Sequence, residues 1–174
     1  MDNVLISKCR NCTNCPYRLY QKPNATIKKG QGNYFGKAIF IVDDEESVKI
    51  LKEIYEYLTG RNIFEDYYVT TLYKCKYNRD IKRPGIVGMN CIKNVRDEIN
   101  KIQTGVVYAI GTNVITIVSN YLNNKNLVLD TILDINFKYK TYYLFNYNPK
   151  WCKKGNIVLK NTFINEFSKI INKW

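Results

Sequence analysis

Short apolar runs alternate with segments of helical spacing along most of the chain. Each run is bounded by charged, polar or glycine residues, which is typical of buried strands. The predicted strands are 38–42, 67–73 and 106–110. In the segments between them, apolar residues recur three or four positions apart, and this spacing predicts amphipathic helices. The predicted helices are 48–58, 89–102 and 113–122.

The last third of the chain predicts a hairpin and a final helix. Segments 135–139 and 141–147 have the composition of paired strands, and the second is long enough to enter the sheet. Helical spacing returns over 162–171. Parallel strands require crossover connections that cover the sheet. We therefore expect an α/β fold, a three-layer α/β/α sandwich around a mostly parallel central sheet of about four strands.

Ligands of open α/β sheets bind beyond the carboxyl ends of the strands. The segments that follow the predicted strands are therefore expected to form one functional edge, here named the carboxyl-end rim. It comprises residues 43–47, 70–75, 111–113 and 146–151. A basic loop that contains Pro84 and ends at Gly88 is predicted between the second strand and the next helix.

The length and composition predict a single domain over residues 1–174. With 174 residues, of which 45% are hydrophobic, the chain is large enough to bury a substantial core. No apolar run is long enough to span a bilayer, and residues 1–7 lack the features of a signal peptide. We therefore expect no membrane association, a reducing cytoplasmic location and reduced cysteine thiols.

Positive charge is concentrated in three stretches of the chain. Lys and Arg number 27 against 15 Asp and Glu, a net charge of +12, and acidic residues are absent or nearly absent from 3–42, 74–96 and 135–165. Such blocks are typical of proteins that bind a polyanion, because each neutralised phosphate releases counterions. DNA is therefore an expected partner. The alternative is a solvated basic surface with no partner.

Four of the six cysteines have a spacing that favours a metal centre. Cys12 and Cys15 form a Cys-x-x-Cys pair, and Cys75 and Cys91 follow sixteen residues apart. The second pair is too widely spaced for an ordinary zinc knuckle, which favours an iron–sulfur cluster over zinc. The alternative is a set of unrelated buried cysteines. The chain has no histidine, which removes the usual imidazole ligand and the usual general base.

A longer set of motifs connects these cysteines with the predicted strands. It comprises Tyr-Val-Thr-Thr-Leu-Tyr-Lys-Cys over 68–75, Arg83-Pro84, Cys91 and the strand of 102–111. This order resembles the iron–sulfur, family-4 type of uracil-DNA glycosylase, from residue 12 to about residue 151. The motifs look like that family's strand, its Lys-Cys, its Arg-x-Pro-bearing loop, its fourth metal ligand and its strand ending in Leu-Gly.

The resemblance implies a 4Fe-4S cluster that anchors the N-terminal segment and packs loops against the DNA-facing edge. Its ligands would be Cys12, Cys15, Cys75 and Cys91. Cys9 also forms a Cys-x-x-Cys with Cys12, so the register of the first pair has an alternative. Zinc is the alternative metal. Cys152 matches nothing in the family pattern and is expected to be a spare thiol.

The segments that would build the base pocket depart from the family. In the family, the first strand runs into a Gly-Glu-x-Pro-Gly loop and a Pro-Phe-Val-Gly segment, whereas here Val42 is followed by Asp-Asp-Glu-Glu-Ser and a helix. The Asn that would read a flipped uracil falls on Thr71, and the His of a late His-Pro motif falls on Asn148. Asp44 and Asn148 remain the candidate catalytic residues. The acidic residues have a simpler interpretation, which we prefer: a first helical turn that complements the helix dipole.

Basic residues around two predicted ligands and on the late loop form the candidate DNA surface. Those expected to contact phosphates are Lys74, Lys76, Arg79, Lys82, Arg83, Lys150, Lys153 and Lys154. In the family, the late loop inserts a wedge into the duplex, and Trp151 is the candidate wedge here. The alternative for Trp151 is core packing.

Three functional hypotheses follow. The first is a DNA-binding iron–sulfur protein with a degenerate pocket, which acts as a non-catalytic component of a replication, transcription or repair assembly with other proteins. The second is an active glycosylase that excises uracil or another altered base. The third is a cluster-stabilised module that binds a protein and not DNA.

Overall fold

The computed structural model describes residues 28–74, 84–122, 135–137, 140–153 and 155–174. Six strands form one sheet in the order β1-β3-β2-β4-β6-β5. The strands are β1 (Gln31–Gly32), β2 (Ile39–Val42), β3 (Tyr68–Thr71), β4 (Val106–Ile110), β5 (Ile135–Phe137) and β6 (Lys140–Phe145). The four central strands are parallel, and β1 and β5 pair antiparallel at the two edges. The predicted α/β fold with a mostly parallel sheet is confirmed.

Five α-helices and one 3₁₀ helix cover this sheet in the described part of the chain. They are α1 (Glu45–Thr59), α2 (Ile63–Asp66), α3 (Pro84–Ile99), α4 (Thr112–Tyr121), the 3₁₀ helix (Pro149–Lys153) and α5 (Ile157–Ile171). None of the helices in the described ranges has the length and apolar composition needed to cross a bilayer.

Alternate residues of each central strand face two separate hydrophobic cores. Ile39 and Ile41 pack with α3 and α4 on one face of the sheet. Phe40 and Val42 pack with α1 and α5 on the other. All four residues of β2 are buried because this strand is covered on both faces. The result is the predicted three-layer sandwich.

Local signals in the sequence fix both ends of α1. The side chain of Asp44 accepts a hydrogen bond from the backbone N–H of Ser47 at the N-terminus of the helix. Gly60 ends it in the left-handed conformation, with φ of 69°. The predicted helix over 48–58 therefore lies inside a real helix that is longer at its N-terminus.

Two further helices begin five residues earlier than the sequence predicts. The predicted basic loop ending at Gly88 is wrong at its C-terminal end, because α3 begins at Pro84. Proline suits the first helical turn, where its missing N–H needs no partner. Gly88 lies inside the helix, where a Cβ would come within 2.9 Å of Ile117 Cγ1 on α4. Similarly, α5 begins at Ile157, because the Asn156 side chain accepts from two backbone N–H groups.

Candidate functional site

The segments of the carboxyl-end rim lie beyond the ends of the four parallel strands. β2 leads into Asp43, β3 into Leu72, β4 into Gly111 and β6 into Asn146. Hydrogen bonds connect neighbouring segments. The hydroxyl of Thr112 donates to Oδ1 of Asn146 at 3.0 Å, and the backbone N–H of Leu72 donates to the carbonyl of Val42 at 2.7 Å. Polar groups from four strands therefore share one edge of the sheet.

Asp44, a candidate catalytic residue, is engaged on both carboxylate oxygens. Its Oδ1 accepts from the backbone N–H and the hydroxyl of Ser47, each at 3.1 Å, and its Oδ2 accepts from Nζ of Lys150 at 2.6 Å. Burial raises the pKa of Asp44, but the hydrogen bonds from Lys150 and Ser47 outweigh it, and the pKa lies below its usual value. Asp44 therefore serves as a helix cap and as the partner of a lysine.

Asp43, its neighbour, is less well satisfied. Nδ2 of Asn113 donates to Asp43 Oδ2 at 3.4 Å, whereas Oδ1 is buried and has no hydrogen-bond partner among the described residues. Burial raises the pKa of Asp43 above its usual value, and the opposing effect of Lys150 is smaller. A buried carboxylate oxygen of this kind is suited to accept a hydrogen bond from a ligand or to hold a water molecule.

The two candidate base-pocket residues are engaged with the backbone. Thr71 is buried, and its hydroxyl donates to the carbonyl of Tyr73 at 3.1 Å. Oδ1 of Asn148 accepts from the backbone N–H of Lys150 at 2.9 Å. Asn148 packs against Gly111, whose φ of 95° and lack of a side chain allow the approach. Thr71 and Asn148 thus lie at the expected edge, each with one polar group committed to a turn.

The late basic loop folds as the 3₁₀ helix and packs beside α1. Trp151 is half-buried and meets the ring of Tyr147 edge-to-face, with ring centroids 6.0 Å apart. Lys150 and Lys153 face acidic residues of the α1 N-terminus: the first pairs with Asp44, and the second lies 3.6 Å from Glu46. Exposed pairs such as Lys153–Glu46 are weak and exchange readily for other anions. This loop therefore combines an aromatic ring with lysines near the rim.

Lys74 corrects one expectation about the DNA surface. Its side chain is only 2% exposed, and Nζ donates to Oε2 of Glu98 and to the hydroxyl of Thr70. Burial lowers the pKa of Lys74, while Glu98 and the Cys91 thiolate act in the opposite direction. A side chain buried in this way does not reach a phosphate, so the predicted phosphate contact by Lys74 is wrong. The other predicted contacts, Lys76, Arg79, Lys82, Arg83 and Lys154, lie outside the described residues.

The predicted metal ligands are only partly within the described residues. Cys91 lies on α3 and is 5% exposed, whereas Cys12, Cys15 and Cys75 fall outside the described ranges. Within those ranges, no group of three or more His, Cys, Asp or Glu side chains is arranged to hold a metal ion. The alternative register with Cys9 also falls outside them. Cys152 lies on the 3₁₀ helix, half-buried, and burial raises its pKa.

The described residues around Cys91 nevertheless fit a thiolate-bound cluster. The Cys91 thiolate is close enough to the Lys74 ammonium to raise its pKa, and Cys75 follows Lys74 directly in the chain. The backbone N–H of Lys28, where the description of the N-terminal part begins, donates to the carbonyl of Lys74 at 2.8 Å. The three chain segments that carry the predicted ligands therefore approach one another at Lys74. An adjacent ammonium favours thiolates, the form that binds iron.

Glu98 is the residue of this region that the sequence prediction missed. Its carboxylate accepts hydrogen bonds from four groups, which lie on three segments of the chain. One signal was available: Glu98 lies three positions after Val95 and seven after Cys91, on the helical spacing of the buried face.

Comparisons with known proteins identify no relative. The chain matches no family model, and a comparison with curated proteins finds no match either.

Proposed function

We propose that this chain is a DNA-binding iron–sulfur protein related to the uracil-DNA glycosylases, with a degenerate base pocket. It acts as a non-catalytic component of a DNA-processing assembly. The observation that carries the proposal is the meeting of the three cysteine-bearing segments at Lys74, which follows β3 at the carboxyl-end rim. A metal centre at this position holds loops at the edge where α/β sheets bind ligands.

The charge of the molecule supports DNA as the ligand. The net charge is +12, and the basic stretch of 74–96 contains both Cys75 and Cys91. Lys150, Lys153 and Trp151 flank the rim from the opposite side, on the 3₁₀ helix. Basic side chains bind phosphates without regard to sequence, and an aromatic ring beside them stacks on an unpaired base. Buried Lys74 plays no part in this surface.

The state of the pocket supports a non-catalytic role. Base excision requires a group that reads the flipped base, a group that positions water and a donor to the leaving base. Thr71 donates to a backbone carbonyl, Asp44 caps α1 and pairs with Lys150, and the chain has no histidine. The loss of one such donor typically lowers the rate by a factor of about 10² to 10³, about 3 to 4 kcal/mol. Losing several together leaves little catalysis.

One observation favours active glycosylase chemistry as the second candidate function. Asp43 Oδ1 is buried at the rim without a hydrogen-bond partner among the described residues. A carboxylate in this state can position a water molecule for attack, and its raised pKa is typical of functional sites. In such an enzyme, Asp43 and not Asp44 would be the water-positioning residue.

A base-release assay on cluster-loaded protein distinguishes the two functions. Single- and double-stranded DNA containing uracil, hypoxanthine or another altered base is the substrate, and binding to the same DNA is measured in parallel. We expect binding without base release, and no gain of activity in the double variant Thr71→Asn/Asn148→His. Release that is lost in Asp43→Asn but retained in Asp44→Asn would establish the glycosylase. Weak, salt-insensitive binding would instead favour a protein-interaction module.

A further inference from the structure

A buried ion pair lies where the three cysteine-bearing segments meet. Lys74 is 2% exposed and Glu98 is 14% exposed, measured on their side chains, and their charged groups are in direct contact. Lysine is almost never fully buried unless it is paired. A buried pair of this kind contributes little net stability, because the cost of removing two charges from water offsets their attraction. The pair therefore calls for a role other than stability.

Glu98 joins elements that are distant in the chain. Its Oε1 accepts from the backbone N–H of Gly30 at 2.6 Å, the hydroxyl of Tyr68 at 2.7 Å and the hydroxyl of Thr70 at 2.9 Å. Gly30 has no room for a side chain, since a Cβ there would lie 2.6 Å from Glu98 Oε1 and 2.6 Å from the carbonyl of Val69. The carboxylate thus ties the chain that enters β1 and strand β3 to α3.

Those same elements carry the predicted ligands. The segment that contains Cys12 and Cys15 ends just before Lys28, Cys75 follows Lys74, and Cys91 lies two turns before Glu98 on α3. Lys74 contacts Glu98 through its side chain and Lys28 through its backbone carbonyl, and its ammonium interacts with the Cys91 thiolate. The ion pair is therefore placed to act on all three segments together.

We propose that Glu98 and Lys74 are positioning residues for the iron–sulfur cluster: Glu98 holds the ligand-bearing segments in place, and the Lys74 ammonium sets the cluster's reduction potential. This inference rests on the proposed function, since it requires the cluster. Four thiolates give an oxidised 4Fe-4S cluster a net negative charge, which reduction increases by one. A buried positive charge nearby favours the reduced form, and net charge and hydrogen bonds are known determinants of cluster potential.

The test compares variants of the full chain, purified without oxygen. Lys74→Met keeps an unbranched stem but removes the charge, and Lys74→Arg restores it. Lys93→Met, an exposed lysine on the same helix as Cys91, is the matched control for charge. We expect Lys74→Met to shift the one-electron equilibrium at least tenfold toward the oxidised cluster, a fall of about 59 mV in midpoint potential. Lys74→Arg and Lys93→Met should stay near the wild-type potential.

Glu98→Gln tests the holding role, with Asp97→Asn as its control. Asp97 is the exposed neighbour of Glu98 and pairs with Arg96. We expect Glu98→Gln to lose iron to a chelator several-fold faster than the wild type and Asp97→Asn. If Lys74→Met does not fold, the double variant Lys74→Met/Glu98→Gln replaces it, because it leaves no unpaired charge buried. The same fall in potential is expected.

Two outcomes overturn this inference in different ways. Wild-type potential in iron-loaded Lys74→Met, together with wild-type iron retention in Glu98→Gln, would refute the inference and leave the proposed function intact. A wild-type protein that binds no iron would refute the cluster itself, and with it both proposals.

Discussion

Two adjacent aspartates at the start of α1 have opposite environments. Asp43 is held by a single long hydrogen bond from Asn113 on one oxygen, and burial dominates its energetics. Asp44 caps the helix and pairs with Lys150. A residue retained in an unfavourable environment is typical of a functional site, where stability is given up for binding or chemistry. At this scale, Asp43 is the residue that most merits functional study.

The opposite pKa shifts predict opposite effects on stability. The pKa of Asp43 is above 3.8 in the folded state, so its contribution to stability is present at low pH and is lost as pH rises through that pKa. The pKa of Asp44 is below 3.8, so its contribution is present at neutral pH and is lost as pH falls. We expect Asp43→Asn to raise the melting temperature at pH 7, and this gain to shrink toward pH 3.

Asp44→Ala is the paired variant. It should destabilise the protein by about 0.5 to 2 kcal/mol at pH 7, because it removes the cap of α1. This loss should diminish on acidification. Denaturant unfolding at pH 3 and pH 7 measures both variants, and the same sign for the two at pH 7 would contradict the assignment of their environments.

At the scale of elements, close packing around two glycines positions the cysteine-bearing segments. Gly88 allows α3 to approach α4, and Gly30 lets the backbone touch the Glu98 carboxylate. Neither position tolerates a side chain without movement of a neighbour. Gly85, in the first turn of α3, provides a contrast on the same element, because a Cβ there would have no other atom within 4 Å.

Substitution of these glycines by alanine should separate packing from helix propensity. Gly30→Ala should destabilise the protein by about 1 to 3 kcal/mol, since the added methyl group meets the Val69 carbonyl and Glu98. Gly85→Ala should stabilise it by about 0.4 to 1 kcal/mol, because it lowers the entropy of the unfolded chain at a site with space. Thermal unfolding of both variants is the measurement. A neutral Gly30→Ala would show that β1 does not pack on Glu98.

The order of strands and helices could be predicted because apolar spacing is a local property of the sequence. β1 and α2 are only 2 and 4 residues long, too short to show a period, and were missed. The start of α3 was wrong because Pro84, Gly85 and Gly88 suggest a loop, whereas the packing on α4 that favours Gly88 is a tertiary contact. The same limit explains Lys74: its partner Glu98 lies 24 residues away, and the local sequence shows only a basic stretch.

The whole molecule is strongly basic, and this charge should dominate its interaction with DNA. Of the lysines expected at the DNA surface, Lys74 is buried, and Lys150 and Lys153 are near carboxylates of α1. The basic residues between Cys75 and Cys91 therefore become the main candidates. They lie in the part of the chain that a cluster would hold against the rim.

Salt dependence of DNA binding tests this assignment. Affinity should fall steeply with salt. The variant Lys76→Gln/Arg79→Gln/Lys82→Gln should reduce the slope of log K against log salt by about 0.9 for each phosphate that is no longer neutralised. The control Lys160→Gln/Lys169→Gln/Lys173→Gln removes the same charge from α5 and the residues after it, and should change the slope less. Equal effects of the two triple variants would place the DNA surface elsewhere.

The metal content of the protein tests the central claim most directly, because both proposals depend on the cluster. Protein purified without oxygen should be brown and contain about four iron and four acid-labile sulfide per chain. Cys91→Ser should lose the iron, whereas Cys152→Ser should retain it. One tightly bound zinc per chain and no iron, in protein prepared in this way, would contradict the account.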